Sequence, residues 1–365
     1  MALYHPEAGF YATGGAAGRQ GDFLTSPEVG PLFGAVVARA LDAWWRELGE
    51  PDPFVVVEAG AGRGTLARTV LGAQPACAPA LRYVLVERSA ALRAAQTERL
   101  TVEPPLAALG PAVVAQPGEA PEPVPGTGPV VTSLAELPAQ RVPAGVVLAN
   151  ELLDNLPFGL RERRDGAWCE VRVGEAGPER PSERGTGPGG PLVEVLVPVP
   201  DEEAEAADRL APDAPEGARI PVQHQAAEWL RQALGLLERG RVVVVDYGTT
   251  TAALARRPGT EWVRTYRAHG RGGAPLDDLG HQDVTGEVAV DQLARVRPPA
   301  ADRSQAEFLR AHGLDELVET ARESWTARAA VGDLEALAAR SRLGEAEALT
   351  DPTGLGAFRV LEWVV

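Results

Sequence analysis

The chain contains no lysine, so all 35 of its basic residues are arginine. Cysteine is also scarce, with only Cys77 and Cys169. Two cysteines make no disulfide framework, and neither they nor the five scattered histidines have the spacing of metal ligands. We therefore expect no structural metal. The missing lysine, together with abundant alanine, glycine, proline and arginine, indicates a GC-rich coding bias rather than a function.

Positive charge is outweighed, since 51 acidic residues give the chain a net charge of −16. No basic stripe is available to neutralise phosphates, which argues against nucleic acid as a partner. No apolar run approaches the length of a bilayer-spanning helix, and we expect no signal peptide. We therefore expect a cytoplasmic protein without a membrane partner. Hydrophobic residues make up 45% of the 365 residues, enough for a large α/β domain or a core with an inserted subdomain.

A short apolar strand followed by alternating glycines is the most informative feature of the chain. Residues 54–57 read Phe-Val-Val-Val, Glu58 follows, and Gly60, Gly62 and Gly64 alternate before a helical pattern begins. A strand, a tight turn and a helix start allow backbone to approach a nucleotide closely. The G-x-G-x-G spacing after a strand acid favours S-adenosylmethionine (SAM). The alternatives are an NAD enzyme and a turn whose glycines merely permit tight packing.

Two further apolar strands also end at polar residues. Residues 82–86 lead to Glu87, about 20 residues beyond the glycines, where a carboxylate can accept both hydroxyls of a ribose. Residues 145–149 lead to Asn150 and Glu151. Alternating strands and helices predict a parallel, doubly wound sheet, in which ligands bind beyond the carboxyl ends of the strands. We therefore expect these strand ends to meet at one edge.

The remaining pattern predicts further elements and a division of the chain. Helices are predicted at 31–48, 65–72, 89–100, 201–210, 223–237, 305–312 and 314–341. Strands are predicted at 130–132, 193–199, 241–245 and 358–365, a surface loop at 103–129, a mobile segment at 174–191, and a hairpin turning at Asp165-Gly166. The expected domains are an N-terminal lid and helix (1–53), a SAM-binding core (54–159), an insertion on the acceptor side (160–220), and the rest of the core (221–365).

Several blocks along the chain resemble one known family, in the same order. They are ALYHPEAGFY at 2–11, GDFLTSPE at 21–28, EAGAGRGTL at 58–66, NELLDNLP at 150–157, DYG at 246–248, TYRAH at 265–269 and GLGAFRVL at 354–361. These blocks resemble the MidA/NDUFAF7 family of class I SAM-dependent methyltransferases over nearly the whole chain. The resemblance implies a mostly parallel, seven-stranded class I methyltransferase sheet with an inserted α+β subdomain. It also implies SAM as cofactor and S-adenosylhomocysteine as product.

The resemblance implies methyl transfer to a nitrogen or oxygen acceptor. One mitochondrial family member is implicated in dimethylation of an arginine, so an arginine of a protein or peptide is the expected acceptor. The alternatives are a methyltransferase of a small secondary metabolite and a non-catalytic SAM-binding assembly factor. Family members usually carry a further helical segment before the first block, so we expect either that the start of this sequence is misassigned or that this element is missing. Residues 219–225 lack an acid common in the family, so a different specificity is expected.

We expect a bacterial enzyme, and a homodimer is one expected assembly of the chain. Its insertion carries an acidic helix that would steer an arginine-bearing partner, unless it is only a solvated face. The acids of that helix are Asp201, Glu202, Glu203, Glu205 and Asp208.

Transfer of a methyl group from the sulfonium of SAM mainly requires that the methyl donor and the acceptor be held in line. A nearby base helps where the acceptor atom must lose a proton. The candidate catalytic residues are Glu151, Asp154 and Asp246. Glu151 and Asp154 are three apart, so one helical turn would let them clamp a guanidinium, although Asp154 could instead cap a helix. The candidate cofactor-binding residues are Glu58, Gly60, Gly62, Gly64, Glu87, Thr25, Ser26 and Asn150, with Asp22 beside them. His5 and His269 are further candidate bases, although a lone histidine is more often structural.

Overall fold

The computed structural model describes residues 3, 5, 8–11, 25–110, 113–114, 122–123, 126–176, 192–267 and 270–365. The chain divides into two compact units. The sheet unit comprises residues 14–152, 231–247 and 298–365, and the second unit comprises 1–13, 153–230 and 248–297. The candidates Asp22 and His269, and residues 177–191 of the predicted mobile segment, lie outside the described residues. No helix in the described ranges is long and apolar enough to cross a membrane.

The sheet unit is built on seven strands. They are β1 (Phe54–Ala59), β2 (Leu81–Val86), β3 (Val130–Leu134), β4 (Gly145–Asn150), β5 (Gly240–Asp246), β6 (Ala301–Ser304) and β7 (Arg359–Val364). Their order across the sheet is β3-β2-β1-β4-β5-β7-β6. Strands β1 to β5 pair in parallel, and β7 runs antiparallel to β5 and β6. The predicted mostly parallel, seven-stranded sheet is confirmed, and its order reverses between β1 and β4, where ligands bind in such folds.

Apolar runs explain the central strands and the helices that cover them. Every residue of β1 and β2 is buried, as expected for parallel strands covered on both faces. The predicted helix at 31–48 is confirmed, and Leu32, Leu41 and Trp44 belong to the core of the unit. The helices of the unit are Ser26–Val29, Pro31–Glu47, Thr65–Gly72, Ala78–Ala80, Ala90–Gln96, Pro105–Leu109, Gln305–Ala311, Leu314–Arg328, Leu334–Thr350 and Leu355–Ala357. A further helix, His224–Leu236, begins in the second unit, and residues 113–114 pair with 122–123.

Two predictions about this unit are wrong in part. The single helix predicted at 314–341 is two helices, because the first ends at Arg328 and the second begins at Leu334. Gly332 adopts a φ of +64°, and the side chain of Asp333 accepts the Ala336 N–H to cap the second helix. The predicted loop at 103–129 contains the short helix Pro105–Leu109.

The second unit contains an antiparallel sheet with the strand order Arg219–Val222, Gly159–Arg164, Ala167–Glu175, Leu192–Pro198. The predicted hairpin is confirmed, and Asp165 and Gly166 at its turn both have positive φ, as a type I′ turn requires. Helix Asp201–Leu210 packs Ala207 near Trp168. The other elements are Leu153–Asn155, Gly248–Thr249, Thr251–Leu254, Gly259–Trp262, Val263–Arg267, Gly270–Arg271, Asp283–Gly286, Val288–Ala289 and Val290–Val296.

Several acidic side chains of the helix Asp201–Leu210 form ion pairs within the protein. Glu203 lies 2.6 Å from a guanidinium nitrogen of Arg161, and Asp208 lies 2.6 Å from one of Arg163. Glu205 pairs with Arg209 within the helix. Three of the five acidic residues are therefore paired with the protein's own arginines. Their negative charge is partly neutralised, so the helix offers less attraction for an arginine-bearing partner than the sequence predicted.

Candidate functional site

The glycine turn connects β1 to the helix Thr65–Gly72. Gly60, Gly62 and Gly64 have φ angles of +72°, +52° and +76°, which glycine adopts without the strain that a side chain brings. A Cβ on Gly60 or Gly64 would lie within about 3 Å of a leucine side chain of the same unit, whereas a Cβ on Gly62 would meet no described residue within 4 Å. The turn therefore packs against the protein at its two ends and faces open space at Gly62.

Glu87 follows β2 and holds the glycine turn through its carboxylate. Its Oε2 accepts the Gly62 N–H at 2.9 Å, and its Oε1 accepts the Ser89 N–H at 2.7 Å. Burial raises the pKa of Glu87, and the two N–H donors oppose that rise. Each carboxylate oxygen has two acceptor positions, so the bonds to backbone leave capacity for further hydroxyl donors. The predicted ribose contact fits this geometry and stays a prediction.

The opposite side of the same peptide segment is held by Gln96, which sequence reasoning missed. Gln96 is fully buried, and its Nε2 donates to the Gly62 carbonyl at 2.8 Å. Its Oε1 accepts the Ser133 hydroxyl, from β3, at 2.6 Å. Sequence reasoning had no signal for this contact, because a glutamine near the end of a short helix has no motif.

Glu58 is the buried, next-to-last residue of β1, and its carboxyl bonds inside the protein. Its Oε2 accepts the Tyr83 hydroxyl at 2.7 Å. Burial raises the pKa of Glu58 from 4.5 to about 7, because the loss of water outweighs the hydrogen bonds from Tyr83 and the Ala67 N–H. The charge of Glu87 raises it further. These contacts connect Glu58 to β2 and to the helix after the glycine turn; its predicted contact with cofactor stays a prediction.

Asn150 is the last residue of β4, and Glu151 follows it. The Glu151 Oε1 accepts the Ser26 N–H at 3.0 Å and the Asn150 Nδ2 at 3.2 Å. The Asn150 Oδ1 is buried and has no hydrogen-bond partner in the part of the chain that the structure describes. Glu151 has a φ of +50°, a strained value for a residue other than glycine, of a kind found at functional sites.

The short helix Ser26–Val29 is attached to the site at three points. Besides the Ser26 N–H bond to Glu151, the buried Ser26 hydroxyl donates to the Gln305 Oε1 at 2.8 Å. Glu28 accepts the Thr65 hydroxyl, at the start of the helix after the glycine turn, at 2.6 Å. Both donors of Ser26 are therefore used inside the protein. Thr25 is buried before the helix, and its side chain makes no capping bond.

The other two candidate acids occupy different units. Asp246 is the last residue of β5 and accepts the Tyr247 N–H at 2.9 Å. Asp154 belongs to the second unit, where its Oδ1 accepts the Asn155 Nδ2 at 3.0 Å. The predicted helical turn shared by Glu151 and Asp154 is wrong, because the turn begins only at Leu153, after the left-handed Glu151. His5 accepts the Ala8 N–H in a local turn.

The predicted meeting of strand ends is confirmed within the sheet unit. Ala59 is level with Val86 on one side and with Ala149 on the other, so the segments that follow β1, β2 and β4 begin at the same edge. A direct hydrogen bond then connects the Gly62 N–H to the Glu87 carboxylate.

Comparison with known proteins shows that the chain is similar to methyltransferases. Residues 36–306 match the model of a protein family described as "Putative S-adenosyl-L-methionine-dependent methyltransferase". The chain is similar to the protein arginine methyltransferase NDUFAF7 homolog, mitochondrial, of Drosophila melanogaster, with 30% identity over 301 residues, 78% of this chain and 62% of that protein. It is also similar to protein arginine methyltransferase NDUFAF7 of Xenopus tropicalis, with 28% identity over 86% of this chain and 70% of that protein.

Among solved structures, the chain is similar to a protein from Burkholderia thailandensis that was crystallised bound to S-adenosyl-homocysteine. The two structures align with a TM-score of 0.76 and 27% sequence identity, over 100% of this chain and 85% of that one. The chain therefore spans most of the bacterial protein but only 62% of the length of the fly relative.

Proposed function

We propose that this chain, which belongs to the S-adenosyl-L-methionine-dependent methyltransferase family whose model it matches, transfers a methyl group from SAM to a nitrogen of an arginine in a protein or peptide. The cofactor supplies a methyl group on a sulfonium, which is already a good leaving group. The protein therefore has to bind and orient the two reactants, exclude water and accept a proton.

The residues at the edge of the sheet fit a nucleoside cofactor with a charged amino-acid tail. Open space lies over Gly62, where backbone can be approached, and the Glu87 carboxylate beside it has acceptor capacity for ribose hydroxyls. The buried Asn150 Oδ1 needs a donor, which an ammonium group provides. We propose that these residues hold SAM, with Gly60 and Gly64 shaping the turn and Glu58, Thr25 and Ser26 supporting it. The orphaned Asn150 oxygen carries this proposal.

On the acceptor side we propose Glu151 as the residue that attracts the guanidinium and accepts its proton. Its carboxylate is at the end of β4, beside the orphaned Asn150 oxygen, on a strained backbone. Asp246, at the end of the neighbouring β5, is the second candidate. An arginine acceptor is supported by the names of the relatives from fly and frog, which are protein arginine methyltransferases. A role for Asp154 stays a prediction.

The source of the enzyme, its location and its assembly belong to the same proposal. A bacterial enzyme is supported by the similarity to the Burkholderia thailandensis protein, whereas the named animal relatives are mitochondrial. A cytoplasmic location stays a prediction. Assembly as a homodimer stays a prediction.

Gly62→Ala is expected to weaken binding of S-adenosylhomocysteine by about tenfold or more, because the new Cβ fills the open space over the turn. Calorimetric titration measures the affinity. Gly49→Ala is the matched control, because Gly49 also has a positive φ and a Cβ there would also meet nothing within 4 Å in the described part of the chain. Equal affinities of the two variants would show that the ligand does not lie over Gly62.

With SAM as donor, peptides containing arginine are expected to yield S-adenosylhomocysteine and a peptide in which a methyl group replaces one hydrogen of the guanidinium, a net gain of CH2. The matched control peptides carry lysine or citrulline in place of arginine, since they test charge and guanidinium geometry separately. Mass spectrometry identifies the modified residue. Turnover only with small neutral metabolites would favour the metabolite methyltransferase. Tight SAM binding without turnover on any acceptor class would favour a non-catalytic assembly factor.

A further inference from the structure

The peptide groups on either side of the Gly62 Cα are both fixed by side chains from the next strand–helix unit. Glu87 accepts the Gly62 N–H, and the Gln96 Nε2 donates to the Gly62 carbonyl at 2.8 Å. Gln96 is in turn oriented by the Ser133 hydroxyl, which donates to its Oε1 at 2.6 Å. One glycine is thus held by residues that follow β2 and by a residue of β3.

We propose that Gln96, oriented by Ser133, is a positioning residue for the cofactor: it holds Gly62 in the left-handed conformation that keeps the space over the turn open. This inference rests on the proposed binding of SAM at the turn. Gln96 has no open path to a ligand, because its side chain is fully buried, so it acts through Gly62.

The physical reason lies in the unusual freedom of glycine. Gly62 can leave its φ of +52° at little cost, because it has no Cβ to restrict it. The two hydrogen bonds to its N–H and carbonyl remove that freedom before any ligand arrives, and pre-organisation of this kind reduces the entropy lost on binding. Without the Gln96 donor, the Gly62 carbonyl lacks a hydrogen-bond partner. The peptide group then rotates, and the glycine turn leaves the conformation that keeps the space over Gly62 open.

The test compares two variants of Gln96 with the wild type. Gln96→Leu keeps the bulk and removes both hydrogen bonds; it is expected to weaken S-adenosylhomocysteine binding by about tenfold. Gln96→Glu keeps the shape, and when protonated it again donates to the Gly62 carbonyl. Its affinity relative to wild type is therefore expected to recover as the pH is lowered, whereas that of Gln96→Leu stays low. In turnover, KM for SAM is expected to rise while kcat changes little.

Gln282→Glu is the matched control. Gln282 is also buried and also holds a glycine-containing loop, since its Oε1 accepts the Gly273 N–H and its Nε2 donates to the Ala274 carbonyl. The control is expected to lose stability to a similar degree but to keep wild-type affinity. Wild-type affinity in Gln96→Leu, or an affinity loss in Gln96→Glu that is independent of pH, would overturn the inference. Absence of binding by the wild type would overturn the proposed function itself.

Discussion

Glu151→Gln is expected to lower methyl transfer to an arginine peptide by about 100-fold while SAM affinity stays within about threefold of wild type. The amide keeps the size of the side chain and can still accept the Ser26 N–H and the Asn150 Nδ2 at the Oε1 position. The substitution removes only the negative charge and the ability to accept a proton. Steady-state kinetics with saturating SAM, together with calorimetry, separate the two effects.

Glu28→Gln provides the matched control for this prediction. Glu28 lies on the short helix that begins at Ser26, and its carboxylate, like that of Glu151, accepts from a neutral donor, here the Thr65 hydroxyl. The loss of one negative charge there is expected to change turnover by less than about threefold. If Glu151→Gln retained turnover to the same extent as Glu28→Gln, Glu151 would serve only to hold the start of the helix, and the acceptor would be bound elsewhere.

Local pattern was sufficient for the elements that build the edge of the sheet. The apolar runs of β1, β2 and β4, each followed by a glycine turn or polar residue, predicted which residues would meet, because parallel strands end at the same edge. The break in the long C-terminal helix also had a local signal. Gly332 followed by Asp333 is a helix end next to an N-cap, and the continuous apolar pattern obscured it.

The support of the site depends on partners distant in sequence, which no local pattern reveals. Gln96 is 34 residues from Gly62 and 37 from Ser133, and Glu28 is 37 residues from Thr65. The Gln96 contacts exist because the sheet brings consecutive strand–helix units side by side, and the Glu28 contact exists because the short helix Ser26–Val29 lies beside the helix after the glycine turn. The left-handed backbone of Glu151 was also hidden, since neither glycine nor asparagine marks the position.

Glu58→Gln is expected to remove a pH dependence of stability that amounts to about 3 kcal/mol in the wild type. The folded-state pKa of Glu58 is raised from 4.5 to about 7, chiefly by burial. Folding therefore favours the protonated carboxyl. The stabilising contribution is complete below the unfolded pKa and is lost as the pH rises through the folded pKa. The wild type should become less stable relative to Glu58→Gln as the pH rises, and denaturant unfolding at a series of pH values measures the difference.

Tyr83→Phe tests the pKa of the Glu58 carboxyl by removing its hydrogen-bond donor. The Tyr83 hydroxyl donates to the Glu58 Oε2 and so favours the charged form, which lowers the Glu58 pKa relative to burial alone. Removal of the hydroxyl is expected to shift the pH-dependent loss of stability to higher pH, whereas Glu58→Gln abolishes it. Parallel stability profiles of wild type and Glu58→Gln would show that the carboxyl is ionised throughout. In that case Glu58 would be a buried carboxylate anion, and its bond to Tyr83 would connect β1 and β2 through a charged acceptor rather than a neutral one.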